Sequence, residues 1–393
     1  MLLKGKVYYV GVNDRVKHRF EGLWLLPQGV SYNSYLIADE KATVLVDTVD
    51  VAFFPEFLGK IREVLNDRPI DYLVINHMEP DHSGSISLIR KYYPNIRLIG
   101  NKKTMEMVNG FYGAWRDGDL CIADGETLEL GHHNLTFYLT PMLHWPETMM
   151  TFDTTDGMLF SGDAFGCFGA LNGHPLDTCI DATPFWPEME RYYAAILGKF
   201  GSPVKAGLKK LSKLDIRMIC STHGPVWTGE GITRAIDTYS RMAEGRTAEG
   251  LVVCYGSMYG HTQQVAEAVA EGAAEAGMKK IVVHNLSVSA PSYVLADVFR
   301  YEALAIGGPT YNGGLYPVVE DLLKRLAGRN VSAHRLACFG GFTWSSQAVK
   351  TMLAYNEKMR MQLVGEPLEW KQGTSESTLE QARKLGALLA TKA

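Results

Sequence analysis

Short apolar runs that stop at a polar residue recur along the first part of the chain. YLIADE (35–40) and ATVLVDTV (42–49) read as two strands of a hairpin. DYLVINH (71–77), NIRLIG (95–100), LTFYLTP (135–141), GMLFSGD (157–163) and IRMICSTH (216–223) read as further strands, most of them closing on His, Asp or Pro. PEFLGKIREVL (55–65) and ERYYAAILGKF (190–200) carry helical periodicity between them. This pattern predicts sheets covered by helices, with loops gathered at the strand ends. Beyond residue 250 the texture changes. LVVCYGS, KKIVVHNL, ALAIGGPT and RLACFGGF alternate with helical stretches such as HTQQVAEAVAEGAAEAG and VVEDLLKRLAG. Regular alternation predicts a doubly wound parallel sheet, whose ligands bind outside the carboxyl ends of its strands. STLEQARKLGALLA (377–390) reads as an amphipathic helix packed on that sheet. The polar stretch 240–249 (SRMAEGRTAE) lacks apolar periodicity and marks the junction, giving domains 1–248 and 249–393.

Composition narrows the class. Lys plus Arg count 39 and Asp plus Glu 43, a net charge of −4, so no basic footprint for nucleic acid is present. There is no run of 18 apolar residues and no signal-type apolar stretch in MLLKGKVYYV, so no membrane partner is expected. Six cysteines stand at 121, 167, 179, 220, 254 and 338 without a C-x-x-C pair. That excludes a zinc ribbon or a rubredoxin-type iron site and predicts a cytoplasmic protein with mostly buried thiols.

The loop after 71–77 reads His77-Met78-Glu79-Pro80-Asp81-His82. His144, Asp163 and His223 stand at later strand ends. One zinc takes about four ligands, so seven candidates suffice for two metals if a carboxylate bridges. Imidazole with carboxylate and no thiolate suits Fe or Mn as well as Zn. His132 and His133, in a polar turn, are expected to be solvated, and His174 is a weaker candidate for contacts behind the ligands.

In the second part, Ser257-Met258-Tyr259-Gly260-His261-Thr262 opens a helix, and such a loop presents N–H groups to a phosphate. Two later strand-end loops carry Pro309, Thr310, Tyr311, Asn312 and Gly313, and Gly341, Phe342, Thr343 and Trp344. A flat ring needs the apolar faces and edge hydrogen bonds that such residues supply.

His-x-[His/Glu]-x-Asp-His followed by a distant His, a G-D and a final H-G resembles the metallo-β-lactamase fold, an αββα sandwich. Hydrolases of that fold typically carry His at the third motif position, where this chain has Glu79. That change is similar to the flavodiiron family, and the second part resembles flavodoxin, which binds FMN. The resemblance implies that His77, Glu79 and His144 hold one iron, that Asp81, His82 and His223 hold the other, and that Asp163 bridges. It also implies a Tyr193 hydroxyl near the metals and a head-to-tail homodimer or a dimer of such dimers. The departures are His261 where flavodoxin-like loops often carry Asn, and Gly-Gly-Phe-Thr-Trp in the third loop.

The activity implied is reduction of O2 to water, NO to N2O, or both, as detoxification in an anaerobe. FMN and two iron(II) ions together store the four electrons that O2 requires. With no C-x-x-C present, electrons are expected from a separate rubredoxin or from reduced F420, a deazaflavin. The alternative is a dizinc hydrolase carrying a flavodoxin-like accessory domain.

Overall fold

In the computed structural model, residues 1–329, 331–332 and 334–391 are described. Two compact units emerge, Met1–Ala243 and Glu244–Ala393. The stretch 240–249 is only partly a linker. Helix Glu230–Ala243 runs into it, with Met242 buried, and the next strand already begins at Ala248. Its polar look comes from the outer face of the last helical turn.

The first unit is a sandwich of two mixed sheets. One has seven strands and starts from the Leu2–Lys4 and Val7–Tyr9 hairpin; its centre holds Tyr35–Ala38, Thr43–Val46, Tyr72–Val74 and Arg97–Gly100. The predicted 35–49 hairpin is antiparallel, with Leu36 opposite Leu45. The other has six strands, including Asn134–Leu139, Met149–Asp153, Met158–Gly162 and Met218–Ser221. The sheets meet face to face through Tyr35, whose ring lies 5.2 Å from Phe160 and whose hydroxyl donates to Ser221 O at 2.7 Å. Thr43–Val46, Met149–Asp153 and Met158–Gly162 are buried at every position, as strands packed on both faces must be.

The second unit has parallel strands in the order Ile281–Asn285, Ala248–Tyr255, Tyr301–Gly307, Arg335–Phe342. The fifth position is split between Gln362–Leu363 and Leu368–Lys371, both paired with Arg335–Phe342. This is the 2-1-3-4-5 order of a flavodoxin-like sheet. Helix Glu376–Ala390 lies against helix His261–Glu275 as well as against the sheet. The two helices touch backbone to backbone. A Cβ on Gly272 would stand 2.0 Å from Arg383 O, and one on Gly386 1.9 Å from Val269 O. Among the described residues no helix is long and apolar enough to cross a membrane, and the six cysteines are free, four of them buried.

Candidate metal centre and cofactor cleft

The sandwich brings four strand ends together. His77 follows strand Tyr72–Val74, and Pro80 then starts the short helix Pro80–Ser83, which carries Asp81 and His82, with Glu79 at its cap. His144 lies in the loop after Asn134–Leu139, Asp163 directly follows Met158–Gly162, and His223 follows Met218–Ser221. None of the seven is more than 9% exposed.

Their donor atoms fall into two groups. His77, Glu79, His144 and Asp163 form one, and Asp81, His82 and His223 the other. Asp163 faces both. Its Oδ2 lies 3.1 Å from His144 Nε2 and 3.5 Å from His77 Nε2, while its Oδ1 lies 3.0 Å from His82 Nε2 and 3.6 Å from His223 Nε2. Glu79 Oε2 closes the first group at 3.2 Å from His144 Nε2. In the second group Asp81 Oδ2 lies 3.4 Å from His82 Nε2 and 3.5 Å from His223 Nε2.

Neighbours that can only accept fix two of the rings. His223 Nδ1 donates to Ser31 O at 2.7 Å, and His77 Nδ1 donates to Glu147 Oε1 at 2.8 Å. With Nδ1 protonated, each Nε2 turns a lone pair to the centre. Thr222 Oγ1 donates to Asp163 Oδ1 at 2.6 Å and steadies that carboxylate.

The donor set fits metal ions. Both oxygens of Asp81 are buried without a hydrogen-bond donor, and so is His82 Nδ1. A buried carboxylate left so is costly unless a cation lies beside it. Burial opposes a charged imidazole, but Asp163 and Glu79 outweigh it at His144, and Asp81 and Asp163 at His82; both are pushed up to about 9. Burial would raise the Asp163 carboxyl, but His82 and His77 hold it well below the usual carboxylate range. The carboxylates make the centre a pocket of negative potential that favours positive charge, whether on the imidazoles or on a metal ion that displaces their protons.

Glu147 was not anticipated from the sequence. It is fully buried, accepts from Met78 N at 2.8 Å as well as from His77, and its own carbonyl accepts from Asn101 Nδ2. Its place three residues after His144, in HWPE, is the only signal it left. Glu147→Gln keeps the shape and an oxygen that can accept the imidazole N–H, but removes the negative charge that raises the basicity of the His77 ring. A roughly 10–100-fold loss of metal affinity is expected, read by metal titration of the folded variant; unchanged affinity would remove Glu147 from this role.

Aromatic rings surround the ligands. Trp145 sets its ring 5.4 Å from that of His77, edge to face. Tyr193, expected near the metals, instead packs its ring on Tyr239 at 5.1 Å, and it is its neighbour Tyr192 whose ring lies 5.6 Å from that of His223. Helix Phe185–Tyr192 passes here into a π-helical turn, Tyr193–Leu197. Neighbouring positions on a helix face different ways, and the sequence does not reveal the wider turn. His174 takes its Nδ1 into a local bond from Leu176 N. His132 is exposed, but His133 is buried, contrary to expectation: its Nδ1 pairs with Asp153 Oδ2 at 2.9 Å and its N–H is held by Asp39.

In the second unit a cleft opens at the carboxyl ends of the strands. The first loop lines it with Ser257, Met258, Tyr259, His261 and Thr262. Gly260, at φ +93°, caps helix His261–Glu275, and its N–H donates to Ser257 Oγ. Pro309 and Thr310 come from the second loop and Gly341, Phe342 and Thr343 from the third. Tyr311, Asn312, Gly313 and Trp344 are outside the lining, Trp344 being 87% exposed. Trp370 and Gln372 line it unforeseen: Trp370 lies in the four-residue strand Leu368–Lys371, whose apolar alternation is too short to stand out, and Gln372 follows it.

Residues 30–224 match the family model described as ODP family beta lactamase, and residues 253–386 match that of flavodoxin. The chain is 32% identical over 354 residues to an anaerobic nitric oxide reductase flavorubredoxin of Escherichia coli, a match covering 89% of this chain and 73% of the relative. It belongs to the flavodiiron family. Solved flavodiiron folds superpose closely. The flavodiiron protein of Giardia intestinalis matches at TM-score 0.93 and 30% identity, over 98% of this chain and 94% of that one. Rubredoxin oxygen:oxidoreductase of Desulfovibrio gigas matches at TM-score 0.95 and 27% identity, over 99% and 97%. As a flavodiiron chain it is an oxidoreductase, with a metallo-β-lactamase-like unit followed by a flavodoxin-like one.

Proposed function

We propose that this flavodiiron chain reduces O2 to water, NO to N2O, or both, in the cytoplasm, with FMN in the second unit and two irons in the first. The observation that carries the reading is Asp163, with one oxygen turned to each group of ligands. His77, Glu79 and His144 would hold one iron and Asp81, His82 and His223 the other. Two irons there would bind the gas and, with FMN, deliver the electrons it needs.

The chain's own groups do the rest. Ser31 and Glu147 orient His223 and His77. Trp145, Tyr192 and Phe20 keep bulk water away, Phe20 with its ring 5.3 Å from His223. Burial raises the Tyr192 phenol well above its usual pKa, so it keeps its proton, and that hydroxyl has no acceptor. It would donate a hydrogen bond to an oxygen atom in the pocket. In the second unit the N–H groups at the start of His261–Glu275 would receive the FMN phosphate.

The donor would be a rubredoxin or reduced F420. The assembly would be a head-to-tail homodimer, alone or paired, in which one subunit's flavin meets the other's irons. The exposed rim of the cleft, with Tyr259 at 88% and Trp344 at 87%, favours a protein surface there. The test is anaerobic: iron, zinc and FMN are counted per chain, and O2 and NO uptake are followed separately with each reduced donor. About two irons and one FMN with gas uptake are expected. Zinc with no uptake would return the chain to the hydrolase reading.

A further inference from the structure

A third set of ligand-type side chains lies at the opposite pole of the first unit. Strand Met158–Gly162 leads from it to Asp163, about 16 Å at 3.3 Å per residue. Three turns meet there. One carries Gly5, between Leu2–Lys4 and Val7–Tyr9; one carries His133, before the paired residues of Asn134–Leu139; one carries Asp156, between Asp153, the last residue of Met149–Asp153, and Met158. Donor atoms of His133, Asp153 and Asp156 lie within 4.8 Å of one another.

The arrangement is built and incomplete. Asp39 Oδ2 accepts from the N–H groups of His132 and His133, at 2.8 and 2.6 Å, and fixes the turn. Asp153 Oδ2 lies 2.9 Å from His133 Nδ1, so the N–H sits on that side and Nε2 is left with a lone pair. His133 is 1% exposed, and its Nε2 has no partner. Asp156 Oδ2 is likewise buried without a partner, while Lys4 Nζ lies 3.4 Å from the other oxygen. The two unpartnered atoms face one spot: a Cβ on Gly5 would be 2.7 Å from Asp156 Oδ2 and 3.6 Å from His133 Nε2. Gly5, at φ +55°, leaves that space open.

Two inward lone pairs cannot satisfy each other. They can share a metal ion, a water held by only two partners where about three are usual, or a proton, which burial of the imidazole opposes and Asp153, Asp39 and Asp156 favour. The carboxylate behind the imidazole is the support that metal-bound histidines have. We propose that His133 Nε2 and Asp156 Oδ2, with Asp153 holding the imidazole from behind, form a third metal site, structural in role, that takes a divalent cation of the zinc or manganese class with water completing its shell and ties the three turns together. Imidazole with carboxylates and no thiolate suits that class.

The probe is Zn2+, added to full-length protein of known iron content. The parent is expected to take up one more equivalent of Zn2+ than Asp156→Asn or His133→Gln, with iron unchanged in all three. Its unfolding midpoint should rise by about 5–10 °C at 100 times the Kd, and that rise should vanish in both variants. Reading the shift on adding metal, rather than the basal midpoint, removes the effect of losing the Lys4 ion pair or of a weakened fold. In crystals grown with Zn2+ an anomalous peak is expected about 2.0–2.2 Å from His133 Nε2 and Asp156 Oδ2. Equal uptake and equal shifts in parent and Asp156→Asn, or a peak-free gap, would overturn the proposal and leave a water or a proton there.

Discussion

Asp163→Asn is expected to lower gas turnover more than ~100-fold while FMN content and flavin reduction stay at parental values. The side chain is 1% exposed and sends one oxygen to each ligand group. Asparagine keeps the volume but removes the charge that balances His77, His82 and His144. Its NH2 would also face imidazole nitrogens whose lone pairs are needed for metal. Replacing a supporting residue costs about 10–100-fold in metal affinity, and losing a shared ligand costs more. Thr222 would still hold the remaining oxygen, so the loop has an anchor and the fold is expected to persist. Iron analysis, circular dichroism and gas uptake on one preparation check each part. Parental uptake in a folded variant would sink the assignment of Asp163 as the shared ligand.

Gly386→Ala should be the most damaging single methyl in the second unit. The new Cβ would stand 1.9 Å from Val269 O and 2.9 Å from Ala273 N, both backbone atoms that no rotamer change can move. The helices Glu376–Ala390 and His261–Glu275 must separate to admit it, and overpacking of this kind costs about 1–3 kcal/mol, at times more. Ala382, Leu385 and Leu389, buried on the same helix, would be drawn from the core with it. We expect about 3 kcal/mol off the unfolding free energy of that unit and weaker FMN retention, read by denaturant unfolding and flavin fluorescence. Gly110→Ala, in a helix where a Cβ meets nothing within 4 Å, serves as the control and should be neutral or slightly stabilising. A parental midpoint for Gly386→Ala would mean that the helices can slide.

What could be read in advance was what repeats locally. Apolar strands ending on His or Asp gave the ligand candidates because a strand end and its loop are neighbours in sequence. The doubly wound parallel sheet followed from alternation alone, whereas its 2-1-3-4-5 order shows only in the strand pairing. What escaped depends on chain brought from elsewhere. His133 looked solvated because its turn is polar, but it is buried by Asp39, Gly5 and Asp153, which come from other turns. Glu147 resembles any loop carboxylate until His77, seventy positions earlier, arrives against it. Tyr192 replaced Tyr193 as the neighbour of His223 at a π-helical turn, and the aromatic spacing carries no sign of that. Trp344 looked like a ring-stacking residue but stands in the open, while Trp370 reaches the cleft from a strand split in two.

The close crossing of the two helices also bears on when the second unit finishes folding. Helix His261–Glu275, which begins at the phosphate-type loop, has its packing partner at Glu376–Ala390. At 5–20 residues per second a ribosome needs roughly 6–23 s between making the first and making the second. Through that interval the loop and its helix have no partner for their glycine face. A nascent chain exposes that face to chaperones and proteases until the late helix arrives.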